Sequence, residues 1–467
     1  MKLPLDIVIM AAGKGTRMKS AVPKVLQMLA HQPLVQHVLH TAAQLQARQV
    51  VVITGHGAEQ VEAALAQADG SAPQRRFVRQ IPQLGTGHAV QQAAPVLADD
   101  GIVVVLSGDV PLTQADTIQT LVDQCTGNGL ALLTLQMANP FGYGRVIRDA
   151  AGRVQRIVEQ KDGTHGELQV QEIYSGIMAA PARLLKGWLG RIDSHNAQQE
   201  YYLTDVVRLA VADGVPVVAH CITDAMQVAG VNSPQQLAEL EREYQKRQAS
   251  RLMLGGVRLR DPARLYVRGT LVCGQDVEID VNCLFEGKVT LGNRVRIGAN
   301  CVIANCQIAD GAVIHPFTHI DGEKLGASIG EDALVGPFAR LRPGAQLGEA
   351  VHIGNFVEVK NSTMAAGSKA NHLAYLGDAT VGERVNYGAG SITANYDGAN
   401  KHRTVIEADV HIGSNSVLVA PVTIGAGGTV GAGSVISRDT PAHALSVVRG
   451  ALAQKEGWQR PAKKRGD

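Results

Sequence analysis

The chain has 467 residues, more than one typical core accommodates, so two or three domains are expected. Its 44 lysine and arginine residues are balanced by 42 aspartate and glutamate residues, which leaves a net charge of +2. This balance gives no bulk electrostatic reason to bind nucleic acid or a membrane, so any anionic ligand must be held by local sites.

The cysteines and the N-terminal run predict a cytoplasmic protein. The run from Met1 to Met10 leads straight into a glycine loop and is interpreted as a strand rather than a signal segment. No window approaches the ~20 apolar residues of a membrane span, so we expect a soluble chain. The cysteines show no CxxC pair and no metal-ligand spacing, and they are interpreted as reduced, mostly buried thiols: Cys125, Cys221, Cys273, Cys283, Cys301 and Cys306.

The first half of the chain alternates short apolar runs with amphipathic stretches. This alternation predicts a mostly parallel α/β sheet, with strands at Ile7 to Met10, Val50 to Thr54, Ile102 to Leu106 and Leu130 to Leu135. Around Ser233 to Arg251 the sequence becomes charged and favours a helix. We predict a linker helix there, with Ser233 as its N-cap ahead of Pro234.

A glycine loop follows the first predicted strand. Gly13 and Gly15 expose backbone N–H groups that suit phosphate oxygens, and Lys14, Arg17 and Lys24 add the positive charge that a triphosphate requires. The glycines alone are equally compatible with an ordinary turn flanked by solvated basic residues. The loop is therefore a hypothesis that needs support from other segments.

Aliphatic residues recur at every sixth position beyond the linker, a period that neither a helix nor an ordinary strand has. This pattern predicts a β-helix, in which three six-residue steps form one triangular coil and the aliphatic side chains stack inside. Interruptions near His315 to Leu325 and Lys360 to Ala370 predict projecting loops. The aliphatic positions are Ile279, Phe285, Leu291, Ile297, Ile303, Val335, Leu341, Leu347, Ile353, Val359, Ile406, Ile412, Leu418, Ile424, Val430 and Ile436.

One histidine of the β-helix is a candidate general base. An isolated histidine is more often structural, but His372 lies in a predicted loop beside Lys369 and Tyr375, with Glu358 on a preceding coil. Acyl transfer to an amine needs a group that removes a proton near neutral pH, and imidazole fits that task. We therefore expect an acyltransferase site around His372.

The glycine loop and two later segments resemble the sugar-nucleotide pyrophosphorylase family. Gly13 to Met18 with Pro23-Lys24, Gln80 with Gln83 to Ala89, and Ser107 to Leu112 match its motifs in order. The resemblance implies direct attack of a sugar-1-phosphate oxygen on the α-phosphorus of UTP, with Arg17 and Lys24 as catalytic residues. It implies a UTP and UDP-sugar site formed by Met10, Ala11, Ala12, Gly13, Lys24, Gln80, Gly85, Thr86, Ser107, Gly108, Asp109, Gly144, Glu159, Tyr174 and Asn232.

A magnesium site is expected at Asp109, which follows an apolar strand where α/β sheets bind their ligands. Asp109 alone could equally cap a helix. The resemblance implies Asn232 as the partner ligand. Two positions depart from the common family pattern, because Ser107 replaces a usual tyrosine and Tyr174 stands where an asparagine is usual. The contacts of the sugar at these two positions therefore stay open.

From Gly336 onward the chain resembles the acetyltransferase half of the bifunctional N-acetylglucosamine-1-phosphate uridyltransferase and glucosamine-1-phosphate acetyltransferase family, notably at Gly354 to Glu358 and Asn395 to Gly398. The resemblance implies His372 as base and a side-by-side homotrimer. It implies sugar-phosphate binding by Arg342, Lys360, Tyr375 and Asn386, and acetyl-CoA binding by Ala389, Asn395, Tyr396, Ser414, Ala432 and Arg449.

Together these features predict an α/β chain with an N-terminal Rossmann-like nucleotidyltransferase domain, residues 1–234, a linker helix, 235–255, and a left-handed parallel β-helix with a C-terminal arm, 256–467. The basic Lys463, Lys464 and Arg465 belong to that arm or to a solvated tail. The resemblance implies an enzyme that uses Mg²⁺, UTP and acetyl-CoA to make UDP-N-acetylglucosamine for peptidoglycan and lipopolysaccharide. The alternatives are a monofunctional pyrophosphorylase whose β-helix only regulates or oligomerises, and an inactive scaffold.

Overall fold

The computed structural model describes residues 3–66, 74–125 and 128–460. The chain divides into two compact units, Met1–Tyr244 and Gln245–Asp467. The predicted domain boundaries at residues 234 and 255 stay a prediction, because this division falls within a helix, Pro234–Leu254. The basic residues Lys463, Lys464 and Arg465 lie outside the described residues.

The first unit is built on one twisted sheet. Its spatial order is β9-β5-β8-β4-β1-β2-β3, and β6 pairs with both β8 and β7. The strands predicted from the apolar runs are confirmed as β1, β2, β4 and β5. The bounds are β1 (Leu5–Ala11), β2 (Gln49–Thr54), β3 (Gln74–Arg79), β4 (Ile102–Ser107), β5 (Leu130–Gln136), β6 (Gly144–Arg148), β7 (Val154–Val158), β8 (Glu172–Pro181) and β9 (Val217–Ile222), with a separate ribbon of Met28–Leu29 and Gln32–Pro33.

The sheet is parallel from β4 through β1 and β2 to β3, as predicted, but β8 runs antiparallel to β4 and β5. The physical reason is the turn between β6 and β7, which reverses the chain without a crossover helix. β6 pairs antiparallel with both β7 and β8, so β8 keeps the direction that β7 takes after this turn. The amphipathic pattern did not reveal this reversal.

Helices cover both faces of the sheet. Alternate residues of β1 and β2 point to opposite sides, so Ile7 and Ile9 join one core while Val8 and Ile53 join the other. The helices are α1 (Leu34–Gln44), α2 (Ala58–Leu65), α3 (Thr86–Ala93), α4 (Ala115–Cys125), α5 (Ala182–Leu189), α6 (Asp205–Ala212) and α7 (Pro234–Leu254). None of the helices in the described part of the chain has the length and apolarity of a membrane span.

The linker helix α7 begins as its sequence predicts. The Ser233 hydroxyl accepts a hydrogen bond from the Gln236 N–H (3.3 Å), which confirms Ser233 as the N-cap. In the first unit, Glu241 of α7 accepts from the Ala30 N–H (2.8 Å). In the second unit, the Gln245 side chain exchanges two hydrogen bonds with the backbone of Val267 (2.8 and 3.0 Å).

The second unit is a parallel β-helix whose short strands stack on three faces. Every aliphatic position of the predicted six-residue register is buried in one continuous core, no more than 4% exposed. The hexapeptide prediction is confirmed. The strands are Arg258–Leu259, Leu265–Cys273, Glu278–Ile279, Cys283–Leu291, Arg296–Ile297, Val302–Ile308, Val313–Ile314, His319–Asp321, Ala327–Ile329, Leu334–Val335, Arg340–Leu341, Gln346–Leu347, His352–Asn355, Glu358–Lys360, Thr363–Met364, Lys369–His372, Tyr375–Gly377, Ala379–Val381, Asn386–Tyr387, Ile392–Ala394, Thr404–Ile406, His411–Ile412, Val417–Val419, Val422–Ile424, Thr429–Val430, Val435–Ile436 and Leu445–Ser446.

The register is interrupted at residues 322–326, between the paired residues Asp321 and Ala327, close to the first predicted interruption. This segment closes on a hydrogen bond from the Gly326 N–H to the Gly322 carbonyl (2.8 Å). The second predicted loop, Lys360 to Ala370, is wrong. Lys360 pairs with Gly377 and Lys369 with Asn386, each 17 residues on, so these coils are one residue shorter than three six-residue steps but unbroken. The Ser362 hydroxyl closes the tight corner by donating to the Lys360 carbonyl (2.8 Å) and accepting from the Ala379 N–H (2.9 Å).

A loop that the sequence did not predict as an interruption projects instead at residues 395–403. Strands on either side of it pair 25 residues apart, as in Ala379 with Thr404, and a bridge joins Tyr396 to Lys401. The cysteines are free thiols, and Cys125, Cys283, Cys301 and Cys306 are buried, as expected. Cys273 is half-buried and Cys221 is exposed.

Candidate active sites

The carboxyl ends of β1, β2 and β4 meet at one edge of the sheet, where a cleft opens. The Gly108 N–H donates to the Met10 carbonyl (2.9 Å), which holds two of the predicted loops together. The cleft brings most of the predicted nucleotide-binding residues into one place. It is lined by Met10, Ala11, Ala12, Gly13, Lys14, Lys24, Val25, Gln80, Gln83, Gly85, Thr86, Ala89, Ser107, Asp109 and Glu200.

The glycine loop is shaped for close approach of a ligand. A side chain added at Gly13 would have no neighbour within 4 Å, so its backbone is open to the cleft. Gly15 adopts a left-handed conformation (φ 59°), and a Cβ there would lie 2.6 Å from that of Lys24. Glycine at this position therefore lets the Lys24 stem pack beneath the loop. Arg17 is exposed on the turn Thr16–Met18 and does not line the cleft among the described residues.

The opposite end of the cleft is organised by Gln80. Its side chain is 3% exposed and donates to the Gly85 carbonyl (2.9 Å), while its N–H donates to the Thr54 carbonyl at the end of β2 (2.8 Å). Gly85 takes φ 109°, and a Cβ there would lie 2.6 Å from the Tyr201 carbonyl oxygen. Gln80 therefore fixes the start of α3 and Thr86 at the cleft.

Asp109 and Asn232 come together around the Lys24 ammonium. Lys24 Nζ lies 2.5 Å from Asp109 Oδ2 and 3.3 Å from Asn232 Oδ1. The Val231 N–H donates to the Asp109 carbonyl (3.0 Å), which holds Asn232 beside Asp109 although the two are distant in sequence. Two oxygen atoms thus accept hydrogen bonds from a single ammonium group.

These two oxygens also fit magnesium. Mg²⁺ prefers oxygen ligands, and in phosphate-transfer sites it takes one or two protein ligands and completes its coordination with substrate phosphates and water. Among the described ranges no group of three histidine, cysteine, aspartate or glutamate side chains could hold a metal. A site built from Asp109, Asn232 and substrate oxygens is therefore chemically suitable.

Gly144, Glu159 and Tyr174 form a second cluster in the same unit. Gly144 pairs with Tyr174, and a Cβ added at Gly144 would lie 3.7 Å from the Glu159 carboxylate oxygens. Glu159 accepts from the Thr204 hydroxyl (3.0 Å), and burial raises the pKa of Glu159. Tyr174 is 6% exposed, burial raises its pKa, and its hydroxyl has no hydrogen-bond partner among the described residues.

In the β-helix, His372 occupies the end of a strand rather than a loop, which corrects the prediction. The strand Lys369–His372 pairs with His352–Asn355 and places His372 beside Asn355. His372 Nδ1 lies 3.1 Å from Asn355 Oδ1. An amide oxygen only accepts, so Nδ1 carries the proton and Nε2 presents its lone pair. Glu358 forms ion pairs with Arg342 (2.9 Å) and Arg340 (3.5 Å).

Four cations gather around Glu358 and Lys360: Arg340, Arg342, Lys360 and Lys401. Arg342 and Lys360 lie on one face of the β-helix, and the projecting loop brings Lys401 to Lys360. Contact with the Lys401 ammonium, burial and repulsion from Lys401 and Arg342 lower the pKa of Lys360. Glu358 and Asp378 neutralise only part of this positive charge, so the cluster suits an anion such as a phosphate monoester.

The remaining predicted sugar-phosphate residues occupy two faces. Tyr375 pairs with Glu358 on the face that carries Arg342 and Lys360. Asn386 is exposed on the neighbouring face, in the strand Asn386–Tyr387 that pairs with Lys369–Ala370. The described chain therefore assembles Arg342, Lys360 and Tyr375 but places Asn386 apart from them.

Predicted acetyl-CoA residues stack in line with His372, one on each coil. The line is defined by hydrogen bonds from Leu373 to the Asn355 carbonyl (3.1 Å), Gly390 to His372 (3.4 Å), Asn415 to Ala389 (2.7 Å) and Gly433 to Ser414 (2.8 Å). At ~4.8 Å per coil, Ala432 lies roughly 14 Å from His372 along this line. Arg449 Nε donates to the Ala432 carbonyl (3.1 Å). The projecting loop carries Asn395, whose amide donates to Asp378 (2.5 Å), and the exposed Tyr396.

Two family models match the chain. The MobA-like NTP transferase domain matches residues 7–170, and the bacterial transferase hexapeptide model matches residues 326–361 and 403–438. Bifunctional proteins GlmU match at near full length. The chain is 72% identical to that of Polaromonas naphthalenivorans (strain CJ2) over 99% of both chains. It is 70% identical to that of Polaromonas sp. (strain JS666 / ATCC BAA-500) over 99% of both, and 69% identical to that of Acidovorax ebreus (strain TPSY) over 98% of both.

The chain belongs to the GlmU family. Membership confirms the predicted enzyme, which acetylates glucosamine-1-phosphate and transfers UMP to N-acetylglucosamine-1-phosphate to give UDP-N-acetylglucosamine for cell-wall synthesis. Both GlmU parts are present, since the nucleotidyltransferase domain forms the first unit and the hexapeptide repeats form the second. The monofunctional and inactive alternatives are therefore set aside.

Val25 and Glu200 of this GlmU chain line the cleft but were not predicted as site residues. Three contacts of site residues were also missed. Thr204 contacts Glu159, Asn355 contacts His372 and Lys401 contacts Lys360. Thr204 and Asn355 lie within segments that match the family, so the motif was visible but the contact was not. Lys401 lies in the loop that follows Ala394. The paired residues Ile392 and Val417 are farther apart in sequence than one coil of three six-residue steps, and this longer spacing would have revealed the loop.

Proposed function

We propose that the cleft of the first unit is the uridylyltransferase site and that the edge of the β-helix around His372 is the acetyltransferase site. The observation that carries the proposal is that each unit has its own cationic cluster beside a group suited to its chemistry. These are Lys24 with Asp109 and Asn232 in the first unit, and Lys360 with Lys401 in the second. The strand of Lys360 pairs with the strand Tyr375–Gly377, which follows His372 in the chain.

In uridylyl transfer, an oxygen of N-acetylglucosamine-1-phosphate attacks the α-phosphorus of UTP. The new P–O bond forms as the bond to the pyrophosphate oxygen breaks, and because the attacking oxygen is already anionic no proton has to be removed. The work left to the protein is positioning and neutralisation of charge. The open backbone of Gly13, with Lys14 and Lys24, supplies both to the triphosphate, and the Gln80–Gly85 segment holds the nucleotide. Arg17, on the exposed turn Thr16–Met18 outside the cleft lining, stays a predicted catalytic residue.

We assign Asp109 and Asn232 as the protein ligands of Mg²⁺. The support is the convergence of Asp109 Oδ2 and Asn232 Oδ1 on one cationic nitrogen. When bound, Mg²⁺ supplies charge neutralisation for the phosphate oxygens. Gly144, Glu159 and Tyr174 are assigned to the sugar, because a buried carboxyl and an unpartnered buried hydroxyl suit sugar hydroxyl groups.

In acetyl transfer, the glucosamine nitrogen attacks the thioester carbon of acetyl-CoA and the coenzyme A thiolate leaves. His372 Nε2 accepts the proton that the amine loses, and Asn355 holds the tautomer that makes this possible. Arg342, Lys360 and Lys401, with Tyr375 and Asn386, hold the sugar phosphate. The line from Ala389 through Ser414 to Ala432 carries acetyl-CoA, with Asn395 and Tyr396 beside it and Arg449 at its phosphate-rich end.

We propose a homotrimer. Asn386 lies on a different face from Tyr375, so neighbouring chains would bring the two faces to one site. An apolar ladder on the β-helix supports this assembly. Phe317, Phe338 and Phe356 stack at 4.9 and 5.4 Å on successive coils and remain 47–57% exposed in the single chain. Burial of such a ladder by another copy would stabilise the assembly.

The assignment is tested by following both products of the wild type and of His372→Ala. Purified protein receives glucosamine-1-phosphate, acetyl-CoA, UTP and Mg²⁺, and free thiol and pyrophosphate are measured separately. The variant is expected to lose thiol release while still releasing pyrophosphate when N-acetylglucosamine-1-phosphate is supplied. Thiol release that persists at the wild-type rate in His372→Ala would contradict the assignment of His372 as the base.

A further inference from the structure

The Lys24 ammonium holds the position that the site offers to a cation. Lys24 Nζ contacts Asp109 Oδ2 at 2.5 Å and Asn232 Oδ1 at 3.3 Å. The side chains of Lys24 and Asp109 are only 15% and 17% exposed. A carboxylate in such surroundings needs a counter-charge, and here that charge comes from the protein itself.

The same two oxygens are the proposed ligands of Mg²⁺. An ammonium and a divalent ion on shared oxygens would lie within a few ångströms of each other, where like charges in a partly buried site repel strongly. A carboxylate that is neutralised by an ammonium is also a poorer metal ligand than a free one. Occupancy of the site by both cations in the contacts seen here is therefore electrostatically unfavourable.

The cleft also offers the Lys24 ammonium a second position, at the glycine loop. Its stem packs against Gly15 of the glycine loop, and it lines the same cleft as Gly13 and Lys14. The four-carbon stem of lysine is flexible, so the ammonium can leave Asp109 by rotation of its side chain without a change in the backbone. The phosphates of a nucleotide bound at the glycine loop would then receive its charge.

We infer that Lys24 is a resident cation of the metal site, which Mg²⁺ displaces from Asp109 and Asn232 toward the nucleotide phosphates. The inference rests on the proposed metal ligands. It makes Lys24 a competitor of the metal in the free enzyme and a partner of the nucleotide in the loaded enzyme. The metal therefore binds weakly before the nucleotide arrives, because it must break the Lys24–Asp109 ion pair.

The test measures Mn²⁺ binding without nucleotide, by the loss of the free-ion electron paramagnetic resonance signal. The full-length wild type is compared with Lys24→Met, with Asp109→Asn and with Lys14→Met, a control that removes another positive charge from the same cleft. Lys24→Met is expected to bind Mn²⁺ about tenfold or more tightly than the wild type, and Lys14→Met much less so. Equal or weaker binding by Lys24→Met would overturn the inference.

Asp109→Asn separates this inference from the metal assignment. If it retains wild-type Mn²⁺ binding, the proposed ligands are wrong. If it loses binding while Lys24→Met gains none, the ligands stand and only the displacement of Lys24 is wrong.

A second measurement on the wild type covers the case in which Lys24→Met does not fold. Lysines are dimethylated by reductive methylation with and without Mg²⁺, and the peptides are quantified by mass spectrometry, with the exposed Lys19 as internal reference. Release of the ammonium predicts that modification of Lys24 accelerates several-fold with Mg²⁺. Modification that is unchanged or slower with Mg²⁺ would overturn the inference.

Discussion

The two sites of this chain are assembled by different structural means. In the first unit, loops at the carboxyl ends of neighbouring strands converge on one cleft. At the centre of this cleft, the Lys24 ammonium neutralises the Asp109 carboxylate. On the β-helix, site residues are placed by coil register along two faces, and Lys360 with Lys401 remains in excess positive charge. A sheet edge thus forms a site within one unit, whereas a coil register forms a surface that another chain completes in the proposed homotrimer.

The largest expected effect is the loss of UMP transfer with acetyl transfer unchanged. Asp109→Asn removes the carboxylate charge but keeps the shape of the side chain, and we expect UMP transfer to fall by about 10³-fold, because the phosphate charge is no longer neutralised. Acetyl transfer, which takes place in the second unit, should stay at the wild-type rate. Pyrophosphate release and thiol release measure the two reactions, and a parallel fall in both would show that the units are not independent.

A smaller effect is expected at Asn355. In Asn355→Ala the oxygen that fixes the His372 tautomer is lost, so we expect kcat of acetylation to fall by about 10- to 100-fold with little change in KM. Asn355→Asp keeps an acceptor at this position and should recover much of the loss. A similar fall in both variants would show that the Nδ1 contact does not orient His372.

Removal of the Lys401 charge tests whether the cationic cluster of the β-helix binds the sugar phosphate. In Lys401→Met, one cation of the unneutralised cluster is removed, and we expect KM for glucosamine-1-phosphate to rise by about tenfold while UMP transfer is unchanged. Lys401 lowers the pKa of Lys360, so the Lys360 charge is lost at a lower pH than that of an ordinary lysine. In the wild type, affinity should fall as pH rises through that lowered pKa.

Without Lys401 this fall in affinity should move to higher pH. It is measured by titrating the binding of N-acetylglucosamine-1-phosphate, which carries the phosphate but no titrating amine, to the two proteins. Arg449→Met, which removes a cation from the other end of the acetyl-CoA line, is the control and should leave the pH dependence unchanged. Coincident pH profiles for wild type and Lys401→Met would contradict the proposed contact.

The smallest effect concerns Tyr174. Its buried hydroxyl has no partner among the described residues, so Tyr174→Phe should raise the free energy of unfolding of the first unit by about 1 kcal/mol. The fluorescence of Trp188, which is buried in the same core, reports this unfolding. If the hydroxyl binds the sugar, KM for N-acetylglucosamine-1-phosphate rises in the same variant. A fall in stability would show that the hydroxyl is satisfied in the free protein.

The same contrast explains what the sequence could predict. The apolar runs predicted β1, β2, β4 and β5, and the six-residue period predicted the core of the β-helix, because burial imposes a regular spacing on the chain. The antiparallel β8 was missed because strand direction depends on a connection without a helix. The loop that carries Lys401 was missed, and a loop was wrongly predicted after Lys360. A break in the six-residue period shows where the repeat changes, but it does not show whether extra residues project as a loop or a corner of the coil is one residue shorter.

For the sites, motifs predicted residues that are close to each other but not the contacts between them. Lys24 and Asp109 were both assigned to the nucleotide site, yet their ion pair depends on the depth at which the Lys24 stem packs against Gly15. His372 was predicted, but its placement beside Asn355 follows from coil stacking, which only the strand register reveals.

The measurement that tests the account most directly combines two variants that each lack one site. His372→Ala and Asp109→Asn are each given glucosamine-1-phosphate, acetyl-CoA, UTP and Mg²⁺, alone and as a mixture, and UDP-N-acetylglucosamine is quantified. Two separate sites predict almost no product from either variant alone and restored synthesis from the mixture, because one variant supplies N-acetylglucosamine-1-phosphate and the other consumes it. If each variant loses both half-reactions, so that the mixture stays inactive, the two units do not hold independent sites.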